Sequence, residues 1–139
     1  MQNMTRAGAM GALGLSALAV AAPAVAAPMS GTKTVQATLV DKFIEIVNAR
    51  DFDRFTEIMG PIYTQHHAGI GDGVPAVVAF FKMTPPDLKL ELVRTIVDGN
   101  YVAMISRATG TYNGKKFDSV GVDAFRVDNG KFVEHWDNG

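Results

Sequence analysis

The sequence predicts an α+β domain, helices first and an antiparallel sheet after them. Three observations predict it. Apolar residues recur at helical spacing between residues 34 and 81; the period changes to two from Leu88; and Asp98-Gly99, Asn113-Gly114 and Asp128-Asn129-Gly130 fall where hairpin turns would separate the alternating runs. Helices followed by a meander must cover one apolar face of the sheet. A curved sheet would do this and leave a pocket at one end.

Each element follows from its residues. Val35, Leu39, Phe43 and Val47 recur every four residues, widened by Val40 and Ile44, so a first helix is expected from Thr34 to Ala49. Asp51 is placed to cap a second helix, Phe52 to Met59, which Gly60-Pro61 ends. Ile62 to His67 reads as a short extended piece, and Gly69, Gly71 and Gly73 as a loop. Pro75 suits the first turn of a third helix, Val74 to Phe81, stopped by Thr84-Pro85-Pro86. Phe52, Phe55, Phe80 and Phe81 are expected in the core. Leu88, Leu90 and Leu92 alternate with Lys89 and Glu91, which buries one face of the first sheet strand. Tyr101 to Tyr112 is the next strand, and two more follow.

The chain has 139 residues and 47% hydrophobic content, enough for one domain. A net charge of -1 gives no electrostatic case for nucleic acid or an anionic membrane surface. With no cysteine there can be no disulfide or thiolate chemistry. The beginning reads as a secretory signal peptide over residues 1–26: Arg6, an apolar run, then Ala24-x-Ala26 before the cut. A flexible leader at 27–33 and a domain at 34–139 follow. The protein is therefore expected to be secreted or periplasmic, with no membrane association after cleavage.

The final hairpin carries the most chemistry. Read as a three-residue loop, Asp128-Asn129-Gly130 makes Val127 oppose Lys131, Phe125 oppose Val133 and Asp123 oppose His135. Asp123, Phe125, Val127, Val133, His135 and Asp137 then share a face, with a carboxylate beside an imidazole in apolar surroundings. Such a dry setting suits Asp123 for general acid/base work and His135 for holding it or exchanging a proton with it. The plainer alternatives are a structural Asp123 paired with Arg107, a His135 bonded to a carbonyl at the sheet rim, and a solvated Asp137. The opposite face (Val120, Val122, Ala124, Phe132 and Trp136) is too apolar for an uncovered sheet, so a homodimer through it is expected.

Tyr63-Thr64-Gln65-His66-His67 is the second cluster. In an extended segment Tyr63, Gln65 and His67 share a face and His66 takes the other. These side chains offer donors for a carbonyl or enolate oxygen; a polar loop rim is the alternative. Tyr63, Gln65, Phe125 and Arg107 are the residues expected to contact a substrate. Three histidines, no cysteine and no His-x-x-x-His spacing make a three-ligand metal set hard to assemble, so no metal is expected, and Gly69-x-Gly71-x-Gly73 lacks the spacing of a dinucleotide site.

Tyr63-x-Gln65-His66, Ala49-Arg50-Asp51, Val97-Asp98-Gly99-Asn100-Tyr101-Val102-Ala103 and the run Val122-Asp123-x-Phe125-Arg126-Val127-x-x-Gly130-Lys131-x-Val133-Glu134-His135-Trp136-Asp137 resemble the SnoaL-like polyketide cyclase family of the nuclear-transport-factor-two-like superfamily. The resemblance implies a cone-shaped α+β barrel around an apolar pocket, often dimeric. It also implies cofactor-free aldol chemistry, with an aspartate as acid/base and a histidine nearby. Those roles fall on Asp123 or Asp137 and on His66 or His135. Three functions stay open: a cofactor-independent cyclase, isomerase or lyase for a small apolar carbonyl compound; a non-catalytic dimeric pocket for a small hydrophobic molecule; and an interaction domain using its outer sheet face.

Overall fold

The computed structural model describes residues 32–137. The expected signal peptide at 1–26 lies outside the described residues. So does the leader, except for its last two residues, of which Lys33 pairs with Asp41.

Helix α1 spans Val35–Ala49. Thr34 caps it, its hydroxyl accepting the Ala37 N–H at 3.2 Å. Arg50 ends it in the left-handed region, φ 55°. The Arg50 guanidinium then donates to the Pro85 carbonyl at 2.8 Å and lies 5.1 Å over the Phe52 ring, joining the helix end to the segment before the sheet. The expected second helix is instead a short 3-10 helix, Phe52–Glu57, and Asp51 makes no side-chain cap bond. Six residues ahead of Gly60-Pro61 leave too little length for an α-helix, and a 3-10 turn places side chains i and i+3 one above the other. Phe52 and Phe55 are accordingly stacked, with ring centroids 6.1 Å apart.

Strand β1 (Met59–Gln65) precedes α2 (Val74–Lys82), followed by β2 (Lys89–Asp98), β3 (Tyr101–Tyr112), β4 (Lys115–Asp128) and β5 (Lys131–Asp137). The sheet order is β1-β5-β4-β3-β2. The last four strands form the expected antiparallel meander; β1 adds to it in parallel, beside β5. The sheet is curved but does not close, so β1 and β2 are its edges. Both edges are managed. Pro61 falls on the first, where a missing N–H costs least. On the second, the Asn48 side chain pairs with the Leu90 backbone like a neighbouring strand, donating at 2.9 Å and accepting at 2.8 Å.

The last hairpin differs from the sequence reading in its turn. Asn129 and Gly130 both have positive φ, 47° and 71°, and Asp128 pairs with Lys131. This is a two-residue loop of the kind Asn-Gly favours, because its twist matches that of the strands. Val127 therefore opposes Phe132; further along, Phe125 opposes His135, and Asp123 opposes Asp137 rather than His135. Phe132, expected on the outer face, is fully buried and stacks on Phe125 at 4.2 Å. The register then shifts between Arg126 and Val127, leaving Val133 as a bulged extra residue on β5. That residue reverses the parity a second time. His135 and Asp137 return to the face of Asp123 and Phe125.

Phe43, Phe55, Phe125, Phe132, Ile46 and Met104 form the centre of the core between α1 and the concave face. On the convex face Ile96, Tyr101, Val120 and Val122 are exposed, with Val120 at 64%. Among the described residues no helix is long and apolar enough to cross a membrane.

Candidate active site

Asp123 and Asp137 are directly opposed on β4 and β5. Like charges in that position repel, and a cation or a shared proton between them relieves it. His135, one pair further along the same face, reaches into the gap. Its Nε2 is 3.0 Å from Asp123 Oδ1 and 4.0 Å from Asp137 Oδ2. Phe125 lies against the imidazole, 4.8 Å between centroids, and the His135 side chain is only 8% exposed.

Strand β1 supplies the other wall. Parallel pairing with β5 sets Gln65 beside His135. Gln65 Oε1 is 2.7 Å from His135 Nδ1 and accepts the His67 backbone N–H at 3.0 Å. His67 turns inward just after the strand, its Nδ1 2.9 Å from Asp137 Oδ1 and its ring edge-on to Phe80. Tyr63 is buried beside both acids. Burial, followed by the charges of Asp123 and Asp137, pushes its phenol well above the ordinary tyrosine range, so the O–H stays a donor.

Tyr63, Gln65, Asp123, His135 and Asp137 line a small cavity of about 50 Å³, closed by Phe43, Ile70, Val77, Phe80, Phe81 and Phe125. A second hollow of about 300 Å³ shares Phe43, Phe80, Phe81 and Asp123 with it and extends along Leu88, Leu90 and Phe117. Its wall is mostly apolar, with Thr84, Ser106 and Ser119 as the hydroxyls. The arrangement is an apolar cup with two acids, an imidazole and a phenol at its narrow end. A larger surface hollow of about 520 Å³ between the 3-10 helix and α2 offers only Asp53, Thr56 and Lys82 as polar groups and no paired acid and base.

Of the residues singled out from the sequence, Asp123, His135, Asp137, Tyr63, Gln65 and Phe125 meet at this cavity. Two do not. Arg107 is on the convex face, held by Asp118 and 3.9 Å from Glu91. Its position on β3, between the inward Ser106 and Ala108, turns it away from the cup. His66 also points outward, bonded to Glu134 at 2.9 Å and stacked on Trp136 at 5.0 Å. His67 takes the inward place. The alternation of Tyr63, Gln65 and His67 carried that signal; the family pattern, which ends at His66, did not.

One expectation about ligands needs correcting. A three-ligand set is not hard to assemble here: Asp123, His135 and Asp137 offer donor atoms within 4.8 Å of one another, although only one is a histidine. The His135 nitrogen that faces this gap lies 3.0 Å from Asp123 Oδ1.

A SnoaL-like domain profile matches residues 40–135. The chain belongs to the SnoaL-like domain family, and its curved sheet and N-terminal helices are the nuclear-transport-factor-two-like fold. TsrD from Streptomyces laurentii superposes with a TM-score of 0.66 at 22% identity, over 75% of this chain and 87% of that one. A proposed polyketide cyclase from Bacillus cereus gives 0.67 at 20% identity, over 76% and 75%. An ntf2-like protein of unknown function from Burkholderia pseudomallei gives 0.66 at 20%, over 76% and 91%. At these identities the likeness is one of fold. No curated protein matches the chain in sequence.

Proposed function

We propose that the protein is a cofactor-independent acid/base enzyme, of cyclase, isomerase or lyase type, for a small apolar carbonyl compound. The observation that carries this reading is the 3.0 Å contact between His135 Nε2 and Asp123 Oδ1 at the floor of an apolar cup. The Asp123 carboxylate takes a proton from the carbon next to the carbonyl. The carbonyl oxygen becomes an enolate oxygen and accepts a hydrogen bond from the Tyr63 O–H. Asp123 then returns its proton to carbon or to a leaving oxygen. Two carboxylates at the cavity floor favour a neutral ligand over an anionic one.

The test needs no knowledge of the natural substrate. Exchange of the α-protons of 1-phenylpropan-2-one in deuterated water can be followed by NMR. Wild type should accelerate it, and Asp123→Asn should lower that acceleration by about 10²–10⁴-fold with ketone affinity within a few-fold. Equal exchange by the two proteins would refute the role given to Asp123. Tight ketone binding without exchange in either would favour the non-catalytic pocket.

We also propose that a second copy covers the convex face, because Ile96, Tyr101, Val120 and Val122 leave large apolar side chains exposed on it. Sedimentation should give twice the chain mass, and Val122→Glu should halve it. A monomer at all concentrations would end this part of the reading.

A further inference from the structure

The His67 backbone N–H can only donate, so the Gln65 side-chain atom that receives it at 3.0 Å is the carbonyl oxygen. The same oxygen lies 2.7 Å from His135 Nδ1. An acceptor there requires Nδ1 to carry a hydrogen. Nε2, the other ring nitrogen, is 3.0 Å from an Asp123 oxygen. Two lone pairs at that distance repel, so one hydrogen lies between them, on nitrogen or on oxygen. The chain of constraints runs from one backbone N–H, through one amide, to the position of one mobile proton.

We propose that Gln65 is a positioning residue: anchored by the His67 backbone, it fixes His135 with Nδ1 protonated and so leaves the whole His135–Asp123 exchange to Nε2. This deepens the acid/base reading of the same site and rests on it for its purpose, though not for its geometry. Without the Gln65 oxygen, the Asp123 carboxylate would draw the ring hydrogen to Nε2 permanently, and Nδ1 would be left bare against β1. Asp123 would then hold a hydrogen bond but exchange no proton. The role is that of an outer partner that sets a histidine's tautomer.

Long-range ¹H–¹⁵N correlation of the imidazoles in the full-length, ¹⁵N-labelled chain reads this directly, without any substrate. In wild type, His135 Nδ1 should appear protonated. Gln65→Leu should lose that protonated Nδ1 signal and move the hydrogen to Nε2. Gln65→Glu, which keeps an oxygen in place, should retain it. A wild-type spectrum with bare Nδ1 would overturn the proposal, as would an unchanged His135 tautomer in Gln65→Leu. Should Gln65→Leu fail to fold, the wild-type and Gln65→Glu spectra still decide, since bare Nδ1 in either counts against it. Failure of the ketone exchange above with these spectra as expected would remove the enzyme and leave the tautomer assignment standing.

Discussion

Two histidine–carboxylate pairs lie on opposite faces of the β4–β5 ribbon, and their lengths hardly differ. His135 meets Asp123 at 3.0 Å and His66 meets Glu134 at 2.9 Å. Their surroundings differ in every other respect. The His66 side chain is 43% exposed and stacks on Trp136, and Glu134 has a second cation in Arg126 at 2.8 Å. The His66 hydrogen bond, and after it that of Arg126, holds the Glu134 carboxyl below the usual glutamate range. Such an acid is committed to its ionised form and has solvent beside it. Asp123 instead shares its imidazole with an amide-anchored partner, opposite a second carboxylate, at the edge of an apolar cup. Distance alone does not separate the two pairs; enclosure and the third partner do.

The comparison breaks most completely if the two faces are exchanged. Val133 is the single residue whose bulge returns His135 and Asp137 to the concave side. Inserting one alanine after Val133, one residue more than the bulge absorbs, should turn both outward, since a one-residue slip inverts every side chain beyond it. We expect ketone exchange to fall to the uncatalysed rate and the melting temperature to drop. An insertion variant that retains full exchange would show that this register does not set the site.

A smaller effect sharpens the contrast instead of erasing it. Glu134→Gln removes the acid of the outer pair and should leave exchange unchanged, where Asp123→Asn loses it. Exposed pairs also contribute little to stability, so its melting curve should stay near that of wild type. A loss of exchange in Glu134→Gln matching that of Asp123→Asn would mean the two faces are coupled.

The same ribbon shows what the sequence could and could not tell. Periodicity located β3 from Tyr101 to Tyr112, and Pro75 and Thr84 bracketed α2. Side-chain alternation brought Asp123, His135 and Asp137 to one face, but the register behind it was wrong twice. Asn129-Gly130 closes a tighter turn than the three-residue loop read from Asp128-Asn129-Gly130, and the Val133 bulge restores the parity that this removes. Turn chemistry is local and could have been read from Asn-Gly. The bulge arises where β5 is gripped by β4 and β1 together, and Gly60 leaves room for it: a Cβ there would come within 3.1 Å of Val133. No pattern within β5 announces it. Nor could β5 announce Gln65, because a parallel partner some 70 residues away in the chain becomes a neighbour only in the folded sheet.

Tyr63 gives the smallest and most specific test of the buried corner. Its phenol is held protonated by burial and by the nearby charges of Asp123 and Asp137. In the unfolded chain a tyrosine ionises near pH 10. Between that value and its higher folded one, the unfolded state binds fewer protons than the folded state, so stability falls as pH rises. The contribution is complete below about pH 10 and is lost progressively above it. Tyr63→Phe has no proton to lose there. Its melting temperature should decline less steeply than that of wild type above about pH 10, and the two slopes should agree near neutrality. Tyr101 and Tyr112 are exposed in both proteins and cancel in the difference. Parallel curves throughout would mean that the phenol reaches solvent, and the corner that separates Asp123 from Glu134 in kind would be wetter than its packing indicates.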